Sequence, residues 1–158
     1  MSALPPSAQK GQDAAAALGL EIAVRQMTAP TRTAEEAAAA CGVTVGQIVK
    51  SLVFMGATSG KPYLLLVSGT NRVNEAGVAA HLGEELKRPD ADAVRALTGY
   101  AIGGIPPFGH DTPIATYIDG DLLQYDIVWA AAGTPKAVFS AAPGKLRDAT
   151  KAIVIDVK

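Results

Sequence analysis

Two short stretches hold the residues whose types and spacing suit chemistry. The first is Gly99-Tyr-Ala-Ile-Gly-Gly-Ile-Pro-Pro-Phe-Gly-His110, with four glycines and two adjacent prolines. Gly103 and Gly104 can enter φ > 0 space and let another molecule come close to the main chain. Pro106 and Pro107 have fixed φ and no N–H, and each pushes its predecessor toward extended backbone. The donors left at the centre are Gly103, Gly104 and Ile105, with Phe108, Gly109 and His110 beyond the prolines. Successive amides held by a stiff anchor form a cradle for a carbonyl oxygen, an oxyanion or a phosphate. A tight surface turn is the competing reading. The second stretch is Gln47-Ile-Val-Lys-Ser-Leu-Val-Phe54, in which Lys50 stands at the mouth of an apolar run. In a partly desolvated cleft its ammonium is a compact point charge for a phosphate or a polarised carbonyl. A lysine snorkelling from a strand edge into water is the alternative there.

Other chemistries fit poorly. No Gly-x-Ser-x-Gly elbow occurs, and the acids show no spacing that singles out a hydrolytic pair. One cysteine, Cys41, and two histidines, His81 and His110, give no metal-ligand cluster of familiar spacing. Cys41 sits among alanines as a small helix hydrophobe. Gly56-Ala-Thr-Ser-Gly-Lys-Pro62 is one residue short of a phosphate-binding P-loop, and Pro62 stands where a magnesium-binding hydroxyl belongs. His110 is a candidate base that also suits a turn cap. Asp119-Gly120 reads as a turn.

These residues need a scaffold, and the chain can supply one. Its 158 residues suit one domain over 1–158, with 1–6 as a short tail. The 30 alanines mean that a 49% hydrophobic content overstates the core. With 14 basic and 15 acidic residues the net charge is −1, which argues against a broad grip on nucleic acid but permits contact with one RNA end. No apolar run approaches the roughly 18 residues that span a bilayer, and no secretory pattern opens the chain, so a cytoplasmic location is expected. Helices are predicted over 7–18, from Thr33 (a capping box with Glu36) to Cys41, from Asn74 to Leu82, from Asp90 to Thr98 and over 143–149. A helical turn is predicted over 44–49. Strands are predicted over 21–26, 51–55, 63–68, 114–118, 127–131, 136–139 and 153–157. Without a regular βαβ alternation, a mixed sheet is expected rather than a doubly wound parallel one.

Together these pieces resemble the YbaK and prolyl-tRNA-synthetase-associated editing-domain family. The resemblance is carried by Gln47–Phe54, Val73-Asn-Glu-Ala76, Thr98–Gly109, Tyr117-Ile-Asp119 and Ala132-Gly-Thr134, in the family's order, and covers about residues 30 to 157. It implies an α/β (α+β) fold, with a mixed, barrel-like β-sheet surrounded by helices. It also implies a free-standing hydrolase that removes a small mischarged amino acid from tRNA, tRNA-Pro or a similar one, without a cofactor. The implied partners are the acceptor end of aminoacyl-tRNA and a synthetase, with neither DNA nor membrane. The family's functional lysine falls on Lys50, its glycine loop on Gly103, Gly104 and Pro107, and the turn beside its pocket on Gly133 and Thr134. Ser51, Ile105 and Phe108 join Pro107, Gly133 and Thr134 as substrate-binding candidates, and His110 and Asp119 are further candidates.

In the expected mechanism the amides of Gly103 and Gly104 stabilise the oxyanion. Lys50 fixes the terminal phosphate or polarises the ester, and an ordered water attacks. Pro106 departs from the family's usual Ser or Thr and removes both a hydroxyl and an N–H. The segment 24–33, which shapes selectivity in relatives, does not name the substrate. Two other readings stand beside this one: a non-catalytic module that binds a nucleotide or aminoacyl-tRNA within a synthetase complex, and a cysteinyl-tRNA subclass that uses the substrate's own thiol.

Overall fold

The computed structural model describes residues 4–29, 31 and 33–158. Its centre is β3 (Pro62–Ser68), whose run Leu64-Leu-Leu-Val67 is wholly buried. A strand alternates its side chains between faces, so a continuous apolar run can be satisfied only where both faces are covered. Leu64 and Leu66 point into the main core, while Leu65 and Val67 pack in a second cluster with Val78 of α3 (Glu75–Leu82). Full burial of each such side chain stabilises the fold by about 1.5–3 kcal/mol.

Around β3 runs a five-stranded mixed sheet in the order β4-β2-β3-β5-β8. β2 (Val49–Gly56) is antiparallel to β3, with Lys50 opposite Val67. β5 (Ala115–Asp119) and β8 (Ile153–Ile155) are parallel additions on the other side. A second sheet is antiparallel, in the order β1-β7-β6, with β1 at Arg25–Gln26, β6 at Val128–Ala131 and β7 at Ala137–Ala141. The two sheets meet through a parallel bridge between Ile48 and Trp129, which gives the barrel-like curvature without closing a barrel. The main core draws on both: Val49, Val53 and Ile118 from one, Val128, Ala130 and Phe139 from the other.

The helices surround these sheets. α1 (Pro6–Ala17), α4 (Ala91–Thr98) and α5 (Pro143–Thr150) contribute Ala8, Ala15, Val94 and Leu146 to the main core. α2 (Ala34–Cys41) lays Ala37 and Ala38 against Trp129 and Val138, on the second sheet's outer face. The capping box predicted for α2 is present: Thr33 Oγ1 accepts from Glu36 N–H at 3.1 Å and Glu36 Oε1 accepts from Thr33 N–H at 3.1 Å. Gly42, at φ 71, ends it.

Several boundaries differ from expectation. Pro6 already opens α1 and Leu4 packs against the core; residues 1–3 of the expected tail lie outside the described residues. The strand predicted over 21–26 shrinks to two residues, and β4 (Leu86–Lys87), which has no sequence signal, pairs with Met55 and Gly56. The P-loop-like hairpin is sealed. Glu84 accepts from Thr58 N–H at 3.1 Å, Ser59 N–H at 2.8 Å and Ser59 Oγ at 2.6 Å. Those amides are therefore unavailable to a phosphate.

Candidate functional site

β2 has one fully paired edge, against β3. On its outer edge Ile48 bridges to Trp129 at one end and β4 covers Met55 and Gly56 at the other. Between those points no described strand pairs with it. A cleft of about 760 Å³ opens there, lined by Val49 to Leu52 and by the loop after β3 (Gly69 to Arg72). Its far wall carries Ile102, Gly103 and Ile105, while Ala34, Ala37, Val45, Ile48 and Trp129 make one side apolar. The tertiary fold thus brings the lysine stretch and the glycine loop to one cavity.

Lys50 is half-buried, and its Nζ donates to the backbone carbonyl of Asn71 at 2.5 Å. Burial pulls its ammonium below the ordinary lysine value, with Arg72 acting in the same direction and Glu35 and Asp119 opposing. A carbonyl partner holds the charge without neutralising it, and two of the three ammonium hydrogens remain for other acceptors. Ser51 Oγ, in the same wall, is buried with no hydrogen-bond partner among the described residues.

The glycine loop divides its labour differently from the sequence expectation. Gly103 has φ 93, and Gly104 N–H donates to Ala101 O at 3.0 Å, the pattern of a turn that requires positive φ at its third residue. The Gly104 amide is therefore spent inside the turn. Its own residue does not line the cleft; it lies behind, where a Cβ would stand 2.8 Å from the Cα and carbonyl carbon of Thr134. Gly104 O accepts from Gly133 N–H at 2.9 Å. The N–H groups of Gly103 and Ile105, by contrast, donate to no described residue. Among the described residues the cleft-lining part of the loop thus keeps the N–H groups of Ile102, Gly103 and Ile105 unpaired, and not that of Gly104.

The remaining candidates stand behind the wall. Phe108 is buried against Phe139, ring centroids 5.5 Å apart, and Pro107 is buried beside it. Gly133, at φ 110, lets α1 approach: a Cβ there would meet Ser7 O at 2.2 Å. Thr134 Oγ1 accepts from Lys136 N–H at 3.3 Å. His110 Nε2 bonds Pro106 O at 2.8 Å and ties the loop together, and burial lowers its pKa. Asp119 is more than a turn residue; it is buried and accepts from Ser68 N–H at 3.1 Å and Asn71 Nδ2 at 2.7 Å. None of these residues lines the cleft. Asn71, Arg72 and Trp129 do line it, and sequence reasoning missed all three. The single tryptophan was a compositional signal; the Asn71–Lys50 bond, spanning 21 residues, left none.

Among the described residues no group of three or more His, Cys, Asp or Glu side chains could hold a metal ion, and no helix is long and apolar enough to cross a membrane. The fold and cleft define a mixed-sheet α+β domain with a pocket at an open strand edge, lined by Lys50, Arg72 and part of the glycine loop. Residues 28–149 match the aminoacyl-tRNA editing domain model, and the chain belongs to that family. A solved structure described as a candidate trans-editing enzyme for prolyl tRNA synthetase is 50% identical, with a TM-score of 0.93 over 99% of each chain. A proline–tRNA ligase of Limosilactobacillus fermentum is 32% identical over 102 residues, 62% of this chain and 18% of the ligase. A candidate Cys-tRNA(Pro)/Cys-tRNA(Cys) deacylase of Enterococcus faecalis is 27% identical over 127 residues, 75% of this chain and 77% of that protein.

Proposed function

We propose that this chain hydrolyses the ester between a small mischarged amino acid and the terminal ribose of a tRNA, with tRNA-Pro the first candidate. The observation that carries the reading is one cleft lined by a half-buried lysine and by two residues with unspent amides, Gly103 and Ile105. Family membership and the names of the relatives point the same way.

An aminoacyl ester is already activated, so the site needs less than a nucleophile–base–acid triad. Water adds to the ester carbonyl, and the negative charge that forms on its oxygen falls to the Gly103 and Ile105 amides. Such preorganised donors act where charge develops in the transition state. The bond from the carbonyl carbon to the ribose oxygen then breaks, the leaving oxygen takes the proton that the water gave up, and the amino acid departs. Lys50 holds the terminal phosphate or the ester carbonyl by charge. The Ser51 hydroxyl gains from a polar substrate group the partner it lacks; a buried unpaired hydroxyl otherwise costs about 1–3 kcal/mol. The apolar side of the cleft receives the amino-acid side chain. Such pockets discriminate by only about 1–3 kcal/mol per methylene, which is why a second, hydrolytic check on charging is useful.

Acceptor-end contact fits a chain of net charge −1, since a single ammonium in a cleft needs no basic face. Single-turnover hydrolysis of tRNAs charged with alanine, serine, cysteine and the cognate amino acid tests the reading. Cleavage of at least one mischarged ester with sparing of the cognate one is expected. Protection of every ester would leave only a binding module.

A further inference from the structure

Lys50 has four rotatable bonds, and the cleft is open, so something must hold its ammonium in place. The holder is a carbonyl on a short loop, and the loop itself has an unusual fastening. Asn71 N–H donates to Ser68 O at 2.9 Å, which closes the turn after β3. The Asn71 side chain then bonds two carboxylates that do not line the cleft. Its Nδ2 donates to Asp119 Oδ2 at 2.7 Å and to Asp121 Oδ2 at 2.8 Å. Both hydrogens of the amide are used, one on each carboxylate. The chemistry fixes the amide's orientation, because the reverse would aim its oxygen at two anions.

The two carboxylates are anchored in turn. Asp119, buried at the end of β5, also accepts from Ser68 N–H at 3.1 Å and from Asp121 N–H at 3.0 Å. Asp121, half-exposed, also meets Lys158 Nζ at 3.0 Å. An aspartate in place of Asn71 would add a third negative charge, and an apolar residue would leave two carboxylates facing each other with nothing between.

We propose that Asn71 is a positioning residue for Lys50: its side-chain amide, clamped between Asp119 and Asp121, fixes the loop whose carbonyl holds the ammonium. Asp119 and Asp121 act through Asn71 and touch no substrate. This explains why Asp119, prominent in the sequence, lies outside the cleft. The proposal rests on the deacylase reading for its catalytic consequence but not for its geometry, so two readouts separate them.

The first readout is a cycle of Asn71→Ala, Lys50→Ala and the double variant, in single-turnover deacylation with thermal unfolding as a fold check. Asn71→Ala is expected to lower the maximal rate about tenfold with half-saturation little changed, on the scale of coupled neighbours. In the Lys50→Ala background it is expected to add nothing. An equal loss in both backgrounds overturns the proposal, since that is what general loosening does.

The second readout is the NMR titration of the Lys50 side chain, which needs no activity. Released from the wall, the ammonium loses the burial that chiefly lowers it in the parent, an effect larger than the lost carbonyl support acting the other way. It should therefore titrate higher in Asn71→Ala. An unchanged titration overturns the proposal. Asp121→Ala, at a half-exposed site, should move both readouts in the same direction by less. A parent protein inactive on every charged tRNA removes the deacylase reading, while the titration still decides the role of Asn71.

Discussion

Replacing Gly104 by alanine separates a spent amide from a steric requirement. No positive φ is demanded at Gly104, so the backbone itself accepts alanine. The obstacle is space: the new Cβ would stand 2.8 Å from two backbone atoms of Thr134 and 3.0 Å from a third, where ordinary contact begins at 3.4 Å. Backbone cannot rotate away as a side-chain tip does, so the loop and the Gly133–Thr134 turn must part by about 0.6 Å. That movement stretches the 2.9 Å bond from Gly133 N–H to Gly104 O. Overpacking of this kind costs about 1–3 kcal/mol of stability. It also displaces Gly103 and Ile105 from the cleft wall, and a misplacement of about 1 Å can cost on the order of 10²-fold in rate. We expect Gly104→Ala to lower both the melting temperature and single-turnover deacylation, the latter by about tenfold or more. Gly60→Ala is the control. Gly60 has φ 70 and nothing within 4 Å, so alanine there is strained by about 1–2 kcal/mol but leaves the cleft alone. Gly60→Ala should melt earlier and hydrolyse normally. A Gly104→Ala protein with the parent's melting temperature and rate would refute the packing argument, and loss of activity in both variants would refute its link to the cleft.

Three further outcomes follow from the same geometry. Lys50→Met should lose roughly 2.7–4 kcal/mol of transition-state stabilisation while folding normally, and Lys50→Arg should rescue little, because a planar fork cannot replace a point charge on one carbonyl; single-turnover rates check both. Thr33→Ala removes the α2 capping box, so stability should fall by about 1 kcal/mol in denaturant unfolding. Glu84 is held down to about 2 from 4.5 by the Ser59 and Tyr63 hydroxyls and by the Ser59 amide. A depressed carboxylate stabilises the fold fully above its unfolded value and loses that contribution as pH falls from about 4.5 through about 2. The melting-temperature gap between the parent and Glu84→Gln should therefore narrow across that window, and a constant gap would remove Glu84 from the hairpin's stability.

Much of the scaffold was legible in the chain because its signals are local. Thr33 and Glu36 specify a capping box within four residues, Gly42, Gly83 and Gly99 stop helices at left-handed φ, and β3 announces itself by an unbroken apolar run. Lys50 and the glycine loop stood out for the same reason, since their residue types are unusual over a short span. β4 was invisible: two residues, Leu86 and Lys87, are strand only because Met55 and Gly56 are beside them. The strand predicted over 21–26 failed oppositely, since only Arg25 and Gln26 find partners on β7.

The sequence by itself determined which residues carry charge and which backbone positions are free of a side chain, and those properties survive into the site. Only the tertiary structure decided how they are used. Gly104 carries an N–H on paper, yet that hydrogen closes a turn on Ala101, while the Ile105 amide stays unspent. Asp119 looked like a turn and became a buried anchor, and Asn71, unremarked, holds the lysine. Hydrogen bonding explains the division. A donor's availability depends on which acceptors folding brings within about 3 Å, and the acceptor of the Ser68 N–H, for one, lies 51 residues away along the chain.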